Sequence, residues 1–221
     1  MLQQLLSYLY PLTVFKQKSN VSKSLEITWV NGELVLDSKN TNYSYGSLQR
    51  ILKKGLKIIG FEKIRTMERI LVLGVAGGSV IKTLVNEIEY KGIITGVEID
   101  LQIIELANNY FKLNEIPNLE IVIDDAFEFV IKTKEKYDLI LIDIFQDTIM
   151  PSFLFENFFT DRLKLILKTN GVILFNTMIL LNSDNDRNNK YLKQFDTKNF
   201  LTKKIPRVEQ HNELIIIEKL L

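Results

Sequence analysis

From residue 68 onward the chain alternates short apolar runs with amphipathic stretches. The runs at 70–73, 92–97, 119–123, 137–142 and 171–177 are rich in Val, Ile and Leu, the texture of strands. Between them, 79–89, 101–111, 126–133 and 151–167 read as helices, the last opened by Pro151 in its first turn. Strands that are apolar almost throughout and alternate with helices predict a parallel sheet covered on both faces. Residues 182–189, NSDNDRNN, read as a polar loop. A short helix over 190–196 and a closing pair of strands at 200–206 and 213–218 complete seven strands.

The first sixty residues have another pattern. Two apolar runs in 24–37 flank Asn31-Gly32, a hairpin signal because both central residues of a type I′ turn need positive φ. Leu48, Ile51, Leu52, Leu56 and Ile59 then recur at helical spacing, predicting a helix over 43–59. The division expected is a hairpin-and-helix module at 1–60 and a main domain at 61–221. The apolar run 5–15 is interrupted by Ser7, Pro11 and Thr13 and lacks a basic leader, so it reads as a strand or short helix packed on the body.

Composition narrows the chemistry. The chain of 221 residues has no Cys and one His, His211, which removes thiol nucleophiles and Cys-based or multi-His metal sites. Lys and Arg total 28 against 27 Asp and Glu, so no global footprint for nucleic acid is present. The run 50–69 holds seven Lys or Arg against two Glu, which reads as a solvated helix face. No run is long enough for a membrane helix, and the cytoplasm is the expected compartment.

Ligands of open α/β sheets bind beyond the carboxyl ends of the strands. Here those ends carry the loop Gly74-Val-Ala-Gly77-Gly78, then Glu98 and Asp100, Asp124 and Asp125, and Asp143 with Asp147. The loop lets backbone approach a ligand, but Ala76 and Ser79 depart from the dinucleotide fingerprint. Glu98 lies 20 residues after Gly78 and could accept ribose hydroxyl protons. Asp100 reads as a helix cap. Of Asp124 and Asp125, either could cap the next helix while the other reads an adenine amino group, with Asp125 favoured for the adenine. Asp143 ends an apolar run with no helix close behind it, which makes it a candidate for catalysis or cation binding. Residues 98–147 contain twelve acids and four Lys, so a cleft there favours a cationic ligand such as a sulfonium or an alkylamine over a dinucleotide. Tyr43 and Tyr45 stand at the start of the first long helix and could wall an acceptor site, whereas His211 reads as a solvated turn residue.

Taken together, the glycine loop, Val-Glu98-Ile-Asp, Asp124-Asp125-Ala126 and Lys-Tyr-Asp-Leu-Ile-Leu-Ile-Asp143 resemble the spermidine synthase (polyamine aminopropyltransferase) family within the class I S-adenosylmethionine-dependent methyltransferase superfamily. The likeness runs from about residue 25 to the C-terminus. It implies an α/β, Rossmann-like fold with a mainly parallel seven-stranded sheet, preceded by a small β-hairpin module, and makes 61–221 the nucleoside-binding catalytic domain. It implies a transferase using S-adenosylmethionine or its decarboxylated form as co-substrate, with no metal. Gly74, Gly77 and Gly78 would hold the donor, Glu98 its ribose, and Asp125 with Ala126 its adenine. Asp143 would take the proton of an attacking amine, and Tyr43, Tyr45, Gln49 and Asp147 would face that acceptor. A small-molecule amine or other nucleophile is the expected partner, with a homodimer implied and neither nucleic acid nor membrane expected. The family's loop usually carries an Asp where Gly77 stands. Its Asp-Ser-Ser-Asp-Pro loop is here Asp143-Ile-Phe-Gln-Asp147, and its Tyr-His-Glu feature is replaced near Leu48, Gln49 and Arg50. Loss of an acid at 77 favours intact S-adenosylmethionine. Methyl transfer to an unknown acceptor, and a non-catalytic nucleoside-binding protein, are the alternative readings.

Overall fold

The computed structural model describes residues 2–19, 21, 23–38, 42–44, 47–145, 149–209 and 211–220, with the side chains of residues 23, 38, 42–44, 47 and 48 outside that description. A short helix α1 (Leu2–Leu6) leads into strands β1 (Leu12–Ser19), β2 (Lys23–Val30), β3 (Glu33–Ser38) and β4 (Asn42–Ser44), which form an antiparallel sheet in that order. The turn between β2 and β3 is built as its dipeptide requires, with φ of 49° at Asn31 and 82° at Gly32. Residues 43 and 44, expected to open a helix, instead belong to the edge strand β4, and α2 begins at Ser47 (Ser47–Ile59). The N-terminal run is part helix and part strand: α1 has no buried residue, while Val14 and Phe15 of β1 pack against the apolar cluster around Leu25, Ile27 and Leu36. The Ser7 hydroxyl oxygen accepts the Gly32 N–H at 2.9 Å, while Leu2, Leu5, Tyr8 and Leu9 remain exposed.

The large sheet comprises β5 (Arg69–Leu73), β6 (Ile93–Glu98), β7 (Leu119–Ile123), β8 (Tyr137–Ile142), β9 (Leu167–Met178), β10 (Phe200–Ile205) and β11 (Asn212–Lys219). Its order is β10-β11-β9-β8-β5-β6-β7; the five strands from β9 to β7 are parallel, and β11 and β10 close one edge antiparallel. Helices α3 (Phe61–Arg65), α4 (Ser79–Lys82), α5 (Leu101–Phe111), α6 (Ala126–Lys132), α7 (Asn157–Ile166) and α8 (Asn182–Leu192) occupy both faces. The strand alternation explains why: Ile70 and Val72, Leu139 and Leu141, and Val172 and Leu174 face one core, shared with Ile51, Leu52 and Leu56 of α2. Leu71 and Leu73, Ile140 and Ile142, and Ile173 and Phe175 face the other, with Phe159, Leu163 and Tyr191. Each such side chain, fully buried, contributes about 1.5–3 kcal/mol. A third cluster joins Leu25, Ile27 and Leu36 of the small sheet to Ile103, Leu106 and Phe111 of α5.

Three expectations are corrected. Residues 182–189 are not a loop but most of α8, because their polar groups are used internally. The Asp184 carboxylate accepts the N–H groups of Leu180 and Leu181 at 2.9 Å each. Arg187 donates to the Met178 carbonyl at 2.7 Å and lies 4.2 Å over the Phe155 ring. Fully buried Asn188 donates to Thr177 Oγ1 at 2.8 Å and to Glu213 Oε1 at 3.0 Å. The single helix expected over 151–167 is a 3-10 turn (Ser152–Phe155), an extended Glu156 (φ −83°, ψ 145°), and then α7. The break lets Phe153 and Phe155 turn inward against Phe159 and Phe175, while Phe158 stays exposed. The helix expected over 79–89 continues past α4 only as a wider π-helical turn (Thr83–Glu87).

Candidate functional site

The chain runs from β5 outward to β6 and β7, then returns to place β8 on the other side of β5. That reversal opens a crevice at the carboxyl ends of β5 and β8, where such sheets take ligands. The two strand ends meet closely. The Gly74 N–H donates to the Val97 carbonyl at 3.0 Å, and the Asp143 N–H to the Leu73 carbonyl at 2.9 Å. Gly74 has φ 89°, and a Cβ there would collide with the Asp143 carbonyl oxygen. Only glycine fits, so the loop and Asp143 share one position in space.

The loop turns through Ala76, itself left-handed at φ 48°, and buried Gly77 to Gly78, which stands at φ 78° as the N-cap of α4. What holds it is Glu98. This buried carboxylate accepts the N–H groups of Val75 and Ala76 through Oε2 at 3.1 and 3.0 Å, and those of Ile99 and Asp100 through Oε1 at 3.0 and 3.1 Å. Burial pushes its pKa up, and the backbone N–H groups of Ala76, Asp100 and Val75 hold it down in part. Four amides fill the lone-pair directions of a carboxylate. Glu98 thus stands at the carboxyl end of β6 with one oxygen turned onto the loop and the other onto the amides that follow it.

Asp100 is the N-cap of α5: it accepts the Gln102 N–H at 3.0 Å, and the Ser19 hydroxyl donates to its other oxygen, tying the small sheet to this edge. Asp125 caps α6, accepting the Phe127 N–H at 2.7 Å, with Ala126 as the first helical residue, and Asp124 accepts the Asp125 N–H at 2.9 Å. Capping occupies one oxygen of Asp125.

Asp143 continues the row of Leu139 and Leu141, so its side chain extends the face that α2 covers. Its Oδ1 accepts a hydrogen bond from Asn176 Nδ2 at 2.9 Å. Burial lifts its pKa to about 6, against a smaller downward pull from that amide. Fully buried Asn176 in turn accepts from Asn212 Nδ2 at 3.0 Å. Neither asparagine was anticipated, yet a signal existed: Asn176 interrupts an otherwise apolar strand where that strand reaches the carboxyl edge. Gln49, on α2, donates to Thr83 Oγ1 in the π-helical turn at 3.2 Å. The side chain of Tyr43, and all of Tyr45 and Asp147, lie outside the described residues. His211 is exposed, in the turn before β11.

Among the described residues no group of three or more His, Asp or Glu is placed to hold a metal, and no helix is long and apolar enough to cross a membrane. The basic run is largely paired: Arg50 with Glu209, Lys53 with Glu87, Lys63 with Glu218, Arg65 with Glu62 and Arg69 with Glu135.

A mainly parallel seven-stranded sheet, a glycine loop after its central strand and a buried acid at the end of the next define a Rossmann-like protein of the class I methyltransferase fold. Solved structures agree on that fold. A spermidine synthase in complex with the transition state analogue AdoDATO superposes with a TM-score of 0.71 at 17% identity, over 94% of this chain and 72% of that one. Human methyltransferase-like protein 13 in complex with SAH gives 0.64 at 21% identity, over 80% and 83%. The chain belongs to the spermine/spermidine synthase family, whose domain model matches residues 50–207. A polyamine aminopropyltransferase of Buchnera aphidicola is 32% identical over 148 residues, covering 63% of this chain and 51% of the relative. The chain therefore spans about half the length of that curated relative.

Proposed function

We propose that the crevice binds decarboxylated S-adenosylmethionine and transfers its aminopropyl group to an amine. The observation that carries this reading is Asp143, a carboxylate at the topological reversal, with one oxygen held by a neutral amide and a pKa of about 6. Above that pH it is ionised and can accept a proton. The amine nitrogen attacks the carbon beside the sulfonium, the carbon–sulfur bond breaks, methylthioadenosine leaves with that electron pair, and the ammonium proton passes to Asp143. The donor carries its own leaving group, so the protein supplies position and negative potential.

In this reading Gly74, Gly77 and Gly78 give the donor close access to backbone, and Asp125 with Ala126 meet its adenine through the oxygen of Asp125 that capping leaves over. Glu98 takes the ribose hydroxyls, which requires it to share or release loop amides. Gln49, Tyr43, Tyr45 and Asp147 face the acceptor. The exposed Leu2, Leu5, Tyr8 and Leu9 support a second copy docking on the N-terminal segment, which sedimentation of wild type against Leu5→Glu tests. One feature favours a second reading, methyl transfer from intact S-adenosylmethionine: Gly77 leaves no carboxylate to repel a methionine carboxylate. Calorimetric titration with the two donors separates these readings. Tighter binding of the decarboxylated donor is expected; a preference for the intact one moves the reading to methyl transfer, and binding of neither removes both.

A further inference from the structure

The end of the α2-covered face changes character across three adjacent strands. Below the edge, Leu141 on β8, Leu174 on β9 and Leu214 on β11 are fully buried in one apolar core. Two residues further toward the carboxyl edge on each strand, on the same face, stand Asp143, Asn176 and Asn212, with Asn212 diagonal to Asn176 because Asn176 pairs with Leu214 and Asn212 with Met178. They form a directional chain: Asn212 Nδ2 donates to Asn176 Oδ1 at 3.0 Å, and Asn176 Nδ2 donates to Asp143 Oδ1 at 2.9 Å. Asn176 is fully buried, where an unmatched amide is costly, so each of its two bonds fixes the sense of the other. Reversing the Asn176 amide would set its oxygen against the carboxylate and its NH2 against the Asn212 donor.

We infer that Asn176 and Asn212 are positioning residues that clamp Asp143 by Oδ1 and so reserve Oδ2 for the incoming amine. An amide donates a hydrogen bond but takes no proton, so the clamp orients the carboxylate without neutralising it. A lysine or arginine in the same place would hold Asp143 equally well and suppress its basicity. Among the described residues, burial and the Asn176 amide are the two influences on the Asp143 carboxyl.

This inference rests on the role proposed for Asp143, and its test is chosen to stand apart from turnover. The γ-carbon of Asp143, labelled with 13C, is titrated by NMR in the ligand-free wild type, Asn176→Leu and Asn212→Leu, with Asp143→Asn as the assignment control. Loss of the direct donor is expected to raise the Asp143 pKa by about half a unit to one unit, and loss of Asn212 to raise it by less, in the same direction. In a turnover assay the acidic limb of the pH profile should move with it, at unchanged donor affinity. Should Asn176→Leu not fold, Asn212→Leu alone carries the test. An Asp143 titration unmoved in both folded variants overturns the clamp, whatever the wild type catalyses. A wild type that binds no adenosyl donor overturns the proposed function, while the titration still decides the clamp.

Discussion

Gly74→Ala is the sharpest probe of how the site is assembled. Two costs combine there. At φ 89° a side chain is forced into left-handed backbone, about 1–2 kcal/mol. The new Cβ also meets backbone rather than a rotatable group, with the Asp143 carbonyl oxygen nearest and its carbon at 2.9 Å, so one strand end must move. Overpacking of that kind costs about 1–3 kcal/mol. The sum, about 2–5 kcal/mol, is a large share of the 5–15 kcal/mol typical of a domain. The displaced group is Asp143 itself, and a shift of about 1 Å at a reacting group costs on the order of 100-fold in rate. Urea unfolding at pH 7 reads the first effect and turnover in the folded population the second. Gly55→Ala is the control: the atoms nearest its Cβ belong to the Leu174 side chain, at 2.6 Å, and the change improves helix propensity in α2. It should fall within about 1.5 kcal/mol of wild type. A Gly74→Ala protein within about 0.5 kcal/mol of wild type and equally active would refute the argument that this close approach sets the site.

Other substitutions have signs fixed by the structure. Asp143 is held at a raised pKa of about 6, so its contribution to stability is fully present below its ordinary value of 3.8 and lost as the pH rises through 6. Asp143→Asn should accordingly be the more stable protein in urea at pH 8 and lose that advantage at pH 4, while losing turnover. Ala76→Gly relieves left-handed strain at φ 48° and should raise the unfolding midpoint, a gain of about 0.5–1 kcal/mol after the entropy cost of glycine. Asn188→Ala strips the buried Glu213 carboxylate of a hydrogen bond at 3.0 Å and should cost about 2–4 kcal/mol by denaturant titration.

The architecture was legible because its strands are buried on both faces. Apolar runs such as 137–142 mark themselves, and β8 occupies those residues. Boundaries failed where burial and polarity part company. Residues 182–189 look like solvent-facing loop because sequence polarity does not reveal that Asn188 is fully buried against Thr177 and Glu213. The break at Glu156 is equally invisible, since the turn before it and the helix after it are both rich in Phe. At the site, each acid could be placed at its strand end, since that follows from the α/β alternation. What each carboxylate bonds to could not, because partners come from strands distant in sequence: Asn176 and Asn212 stand 33 and 69 residues from Asp143. Asp100 reads as a cap from sequence because capping is a local relation, whereas the Val75 and Ala76 amides on Glu98 depend on the folded path of the glycine loop.

The central claim is that Asp143 takes the proton of an amine as an aminopropyl group is transferred. Its most direct test is release of methylthioadenosine from decarboxylated S-adenosylmethionine, followed chromatographically with a panel of alkyl amines, for wild type and Asp143→Asn at matched donor occupancy. The account predicts amine-dependent release by wild type and a loss of about 100- to 10,000-fold in the variant, the usual range for a general base. Release by Asp143→Asn at the wild-type rate, or none from wild type saturated with that donor, would contradict it.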